Sequence, residues 1–227
     1  MATGARIRMT TGTLRMTTST DILTLTQWFS PAYPVGAFAY SHGLEWAIEA
    51  GDVCDVDGLR GWITDVLQHG SGYADALFLA AAYQAEDVGG VDADCRAFCA
   101  SAERLKETTL QGAAFCEITA HVFGSDVSAL CYPVAVGHTA QVLGLPPVLA
   151  AQMYLQAFVG NLVSVGVRLV PLGQTAGQSL LRELTPLCIS IAEETKTGEL
   201  SQLSSSAFLA DIAAMKHETQ YSRVFRT

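Results

Sequence analysis

Cys95 and Cys99 stand four residues apart and would share one face of a helix, the spacing at which two thiolates can grip a metal ion. Two thiols do not close a four-coordinate site. The remaining cysteines, Cys54, Cys116, Cys131 and Cys188, form no Cys-x-x-Cys pair, so the six read as reduced, mostly buried thiols. The histidines, His42, His69, His121, His138 and His217, show neither His-x-x-x-His nor Glu-x-x-His spacing, and no metal site is expected. Nucleophilic chemistry fares no better. Ser41 and His42 are neighbours, so on a helix their side chains diverge by about 100° and cannot act as nucleophile and base. Ala39 stands where a Gly-x-Ser-x-Gly elbow needs its first glycine. Glu45 and Glu49 share a helical face but read as solvated surface. Gly173 and Gly177 precede Gln178 and Ser179 as in a phosphate loop, yet the spacing is one residue short and glutamine replaces the lysine that meets the phosphates. Neither an enzyme nor a cofactor is expected.

The stretch that stands out is Ser30 to Glu45, Ser-Pro-Ala-Tyr-Pro-Val-Gly-Ala-Phe-Ala-Tyr-Ser-His-Gly-Leu-Glu. Pro31 and Pro34 fix φ and lack N–H donors, so a helix before them must stop by Phe29. Gly36 admits backbone angles that other residues avoid. Ser41 can cap a new helix, with Glu45 near its positive end. The result is a shaped, partly apolar loop between two helices.

The rest of the chain supplies helices to hold it. A short helix is expected over Ile22 to Phe29 with Thr20 or Asp21 as cap, and others over Ser41–Ala50, Asp57–Gly70 and 73–86. A longer pattern runs from Asp92 to Phe123 through Phe98, Ala102, Leu105 and Phe115, broken near Gly112. Pro133 and Gly144 bracket a short helix. Val148 to Val170 is the most apolar run, and two more helices follow over Ala176–Thr195 and Ser204–Lys216. Period-two alternation is absent, so the fold class is all-α: one helical bundle of eight to ten helices over residues 21–216. The 148–170 run is long enough to cross a bilayer. Gln152, Gln156, Asn161 and Arg168 interrupt it mostly on one side, which argues for a central bundle helix, with Gly160, Ser164 and Gly166 allowing close approach of a neighbour.

Half of the 227 residues are hydrophobic and 15% charged, with a net charge of −9. Mean hydropathy is +0.29. This is more apolar surface than a compact monomer needs to hide, which favours an oligomer, a partner interface or a membrane segment, while the acidic balance argues against a nucleic-acid surface. Residues 1–20 are rich in threonine, carry Arg6, Arg8 and Arg15 without an acidic residue, and read as a disordered leader. The chain is read as cytoplasmic. Residues 217–227 put Arg223 and Arg226 beside Tyr221 and Phe225, the residue types enriched in interface cores. Ordering such a tail costs roughly 1–2 kcal/mol per residue, so it is expected to order on a partner.

Three stretches resemble, in order, the signatures of the UreF family of urease accessory proteins: 30–45, the Val-Pro-Leu-Gly-Gln turn at 170–174, and Glu-Thr-Gln-Tyr-Ser-Arg-Val-Phe-Arg at 218–226. The resemblance spans residues 22–227. It implies a non-catalytic, dimeric scaffold that binds a UreD/UreH-type protein, with which it recruits the GTPase UreG to apo-urease and couples GTP hydrolysis to nickel insertion. The partner-facing residues are then Pro34, Gly36, Tyr40, Ser41, His42 and Glu45 of the loop; Pro171, Gly173 and Gln174 of the turn; and His217, Tyr221, Ser222, Arg223, Phe225 and Arg226 of the tail. The competing classes are a direct nickel carrier and an all-α enzyme with an unrecognised pocket.

Overall fold

A computed structural model describes residues 16–124 and 129–226. Most of the Thr-rich leader lies outside them. Among the described residues there are ten α-helices and no strand. They are α1 (Ser19–Trp28), α2 (Leu44–Glu49), α3 (Val56–His69), α4 (Ser71–Gln84), α5 (Val88–Ala97), α6 (Ala102–Phe123), α7 (Tyr132–Leu143), α8 (Pro147–Leu169), α9 (Gln174–Glu194) and α10 (Phe208–His217). The expected all-α bundle is thus observed.

Local chemistry sets most boundaries. Thr18, rather than Thr20 or Asp21, caps α1: its hydroxyl accepts from Asp21 N at 3.2 Å, while the Asp21 carboxylate accepts from Thr18 N at 2.8 Å. Asp55 caps α3 through Gly58 N at 2.8 Å, and Ser101 caps α6 through Arg104 N at 3.1 Å. That last cap explains one departure from expectation. The 92–123 pattern breaks at residues 98–101, where Ser101 starts a new helix, and not at Gly112, which sits inside an unbroken α6. Gly112 is there for packing: a Cβ on it would lie 1.9 Å from Leu130 O and 2.8 Å from Tyr132 N, so the chain entering α7 passes against α6 at backbone distance.

The core wraps around α4, whose alanines and leucines are buried on every side, with α7 packed along it. Such a uniformly apolar helix is stable only when surrounded. The apolar run expected at 148–170 is α8, which packs on α9, α4, α7 and α2. It is the one helix among the described residues that is long and apolar enough to cross a membrane, and half of that window is buried inside the protein. Of its polar residues, Gln152, Gln156 and Asn161 are half-buried and Arg168 is exposed, all on the side turned away from the core. Gly166 is closed by Leu59 of α3, whereas Gly160 faces open space.

These contacts generate a paired expectation. Gly112→Ala should lower stability by about 2–3 kcal/mol, since the added methyl meets backbone that cannot rotate away. Gly160→Ala should be neutral or stabilising by about 1 kcal/mol, because helix propensity rises with no clash. Urea denaturation of both variants checks the contrast; equal stabilities would contradict the packing.

Candidate functional site

The loop and the tail, 172 or more residues apart in sequence, meet at one carboxylate. Glu45, in the first turn of α2, is 5% exposed. Its Oε1 accepts from Val224 N at 2.6 Å and its Oε2 from Phe225 N at 2.8 Å, so the tail backbone is clamped by both oxygens. His217, fully buried at the end of α10, places Nε2 3.1 Å from Glu45 Oε2 and Nδ1 2.8 Å from Glu103 Oε2. Both ring nitrogens of His217 thus lie within hydrogen-bond distance of a buried carboxylate oxygen, so the ring links the two acids. Arg223 Nη1 donates to the other Glu103 oxygen at 2.9 Å. The neighbouring Glu218 accepts from Ala102 N at 2.9 Å, capping α6 from a distance. Arg226 N donates to Ala39 O at 2.6 Å, and Gln220 donates to Glu49. Phe225 is buried with the Arg168 guanidinium 5.9 Å above its ring.

The tail therefore lies folded on its own chain, which differs from the expectation that it orders only on a partner. The entropy cost is offset internally: two backbone N–H bonds to a buried carboxylate, one buried aromatic ring and the Glu45–His217–Glu103–Arg223 cluster hold residues 217–226. Arg168 belongs to the last turn of α8, just ahead of the Val170–Gln174 turn. The loop and tail signatures thus meet beside Phe225, with Arg168, just ahead of the third, over its ring.

Backbone shape makes the meeting possible. Ser41 is buried and does not start α2; Gly43 is the N-cap, with φ +75°, and a Cβ on it would sit 2.6 Å from Ala214 N of α10. His42 takes a left-handed φ of 52°, rare outside glycine, and is held there by Glu107 Oε1 at 3.1 Å and by the Phe158 ring at 4.7 Å between centroids. Gly36, at φ +73°, turns the exposed part of the loop. Tyr40 is buried, and burial foremost, with the nearby Glu107 charge, pushes its phenol pKa up against the opposing influence of Arg226. Pro34, Gly36, Pro171, Gly173, Gln174, Tyr221, Ser222 and Arg226 are exposed; Tyr40, Ser41, Glu45, His217 and Phe225 are interior. Gly173 has φ −72° and open space beside it, so neither strain nor packing demands a glycine there.

Sequence reasoning missed the residues that receive the tail. Along α6 the expected core position Leu105 is 38% exposed and Leu110 is 47% exposed, whereas Glu103, Glu107, Thr108 and Gln111 are buried. The buried face is polar because Arg104 lies within it, making two 2.6 Å bonds to Asp75 and lying 3.2 Å from Glu107. Tyr154 donates to Asp75 at 2.7 Å and Gln111 to Glu107 at 2.9 Å. Burial pushes the Glu107 carboxyl up, but the charges of His42 and Arg104 outweigh it and hold it below its ordinary value. The available signal was the Glu103, Glu107, Gln111 repeat at i, i+4, i+8.

Two outcomes follow from the geometry. His217→Ala leaves two buried carboxylates facing each other and should cost about 3–5 kcal/mol in urea denaturation, far more than loss of a surface ion pair. Glu107 has a depressed folded pKa, so its contribution is complete above its unfolded value near 4.5 and is lost as pH falls through the lower folded one. Stability should therefore drop on acidification below about pH 4.5, and Glu107→Gln should flatten that limb in a pH series of melts; an unchanged limb would contradict the pairing.

A family model described as UreF matches residues 53–185, between the loop and the tail. The urease accessory protein UreF of Ruegeria pomeroyi is 60% identical over 213 residues, covering 92% of this chain and 98% of its own. That of Roseobacter denitrificans is 52% identical over 222 residues, covering 96% and 100%, and one from Rhodopseudomonas palustris is 44% identical over 234 residues, covering 96% and 98%. With the family model and these relatives matching a helical bundle whose loop and tail close on one another, the chain belongs to the UreF family of urease accessory proteins.

Proposed function

We propose that this protein is a non-catalytic scaffold of urease maturation: it binds a UreD/UreH-type protein, the pair recruits a UreG-type GTPase, and the assembly couples GTP hydrolysis to nickel delivery into apo-urease in the cytoplasm. The observation that carries the reading is the surface around the clamped tail. On α10, Phe208, Leu209, Ile212 and Met215 are 48–75% exposed, and beyond them Tyr221 and Val224 are 105% and 69% exposed. Apolar residues grouped on one helix face and continued by an ordered tail are what a partner surface requires. The clamp beneath keeps that tail from costing its full ordering entropy at binding.

The scaffold reading is favoured over a direct nickel carrier by how the acids and histidines are used. Glu45, Glu103 and His217 are engaged by one another and by the tail, and each is buried, so they are committed to holding the tail in place. Nickel is cargo of the assembly in this reading. A homodimer within the larger complex is part of the proposal; the open side of α8 at Gly160 and Ser164 gives a second copy room to approach.

Co-expression with the D-type and G-type proteins, followed by native mass measurement, tests the proposal. Leu209→Glu and Tyr221→Ala alter exposed side chains and should preserve the melting temperature while reducing complex yield by about tenfold. Full complex formation by both variants would contradict this surface, and nickel bound tightly by the isolated chain in equilibrium dialysis would favour the carrier.

A further inference from the structure

Spacing alone pairs Cys95 with Cys99, but the structure gives Cys95 a different partner. Cys99 lies beyond the end of α5, and its thiol donates to Cys95 O at 3.3 Å, along its own stretch of chain. Cys131, which immediately precedes α7, is the cysteine brought against α5. Asp92 Oδ1 accepts from Cys131 N at 2.6 Å, while Arg96 donates to Asp92 Oδ2 at 2.6 Å and to Ala129 O at 3.4 Å. Asp92, Cys95 and Arg96 share one face of α5 at i, i+3 and i+4, so the Cys95 thiol is turned toward the same point of the chain. From the other side Gly112 of α6 holds Leu130 and Tyr132 at backbone distance, which leaves Cys131 little room to move away. The remaining thiol at this end, Cys116, is engaged with the Leu130 backbone.

Cys95 and Cys131 are both buried, and their thiols face each other. A hydrogen bond from the Cys95 thiol is the first influence on Cys131 and draws its pKa down, whereas the same bond, with burial, pushes Cys95 up. One sulfur of the pair is thereby favoured as the thiolate, the form that reacts with oxidants. Access is narrow. A cavity of about 50 Å³, lined by Asp75, Cys95, Cys99 and Asp211 among others, reaches this thiol. That is room for a molecule little larger than water, and too little for a peptide.

We infer that Cys95 and Cys131 form a redox-active dithiol that hydrogen peroxide converts to a disulfide, stapling α5 to the start of α7. One sulfur, as thiolate, displaces hydroxide from the peroxide and becomes a sulfenic acid; the other sulfur then displaces the hydroxyl from it, forming the S–S bond. Both thiol protons leave with the two oxygens, so the pair loses two electrons and the peroxide is reduced to two waters. The staple lies where α5 and α7 meet α6, the helix whose Glu103 and Glu107 hold the tail and the loop.

Peptide mapping of the full chain after peroxide treatment tests this, with Cys54→Ser removing the exposed thiol that would couple one chain to another. Unreacted thiols are alkylated before digestion. The folded chain should give the Cys95–Cys131 cross-linked peptide in about tenfold excess over any other cysteine pair, and dithiothreitol should return both residues to alkylatable thiols. In urea the same treatment should favour Cys95–Cys99, the pair with the shortest loop to close. Three results would overturn the proposal: both thiols still free in the treated folded chain, Cys95 joined to Cys99 there, or a Cys95–Cys131 link formed equally in urea.

Discussion

The structure depends on where the Glu45 carboxylate sits. A charged group at 5% exposure is tolerated only when its oxygens are filled, and here they are filled by two backbone amides of the tail and one imidazole. That requirement ties the start of α2 to residues 217–226, and through His217 to Glu103 on α6. It also dictates small residues nearby: Gly43 lets α2 come against the backbone of α10. Remove the carboxylate and the tail has no anchor; remove the tail and the carboxylate has no partners.

A second buried cluster, Asp75, Arg104, Glu107, His42 and Tyr154, sits one turn further along α6 and holds the other half of the same loop. The two clusters share α6 as their spine, which is why that helix buries glutamates and exposes leucines. Buried ion networks add less net stability than apolar packing of equal volume but fix one arrangement strongly, because any displacement leaves a charge unpaired. This suits the proposed scaffold role, in which a fixed surface is presented, and it explains why the interior carries so many acids in a chain of so few charges.

Much of the bundle was legible in the sequence. Alanine-rich α4, the apolar run of α8 with its polar side, and the proline stop after Phe29 follow from propensity and period. The break assigned to Gly112 failed because a glycine inside a helix can serve close packing as well as punctuation, and only Leu130 and Tyr132, nearly twenty residues later, reveal which. Leu105 was assigned to the core because periodicity assumes that apolar residues face inward, an assumption that buried acids on α6 reverse. The residues of the loop and tail could be singled out, but not that Glu45 clamps Val224 and Phe225, since nothing local encodes a contact across 179 residues or more.

The central claim is that the tail is held on the isolated chain by Glu45 and His217 and, in the proposed scaffold, meets its partners already shaped. Amide hydrogen exchange at Val224 and Phe225, in the protein without partners, measures this most directly. The account predicts exchange slowed by about a hundredfold or more relative to an unstructured peptide, because both N–H groups are bonded to a buried carboxylate. Exchange at the unstructured rate in the isolated chain would contradict it.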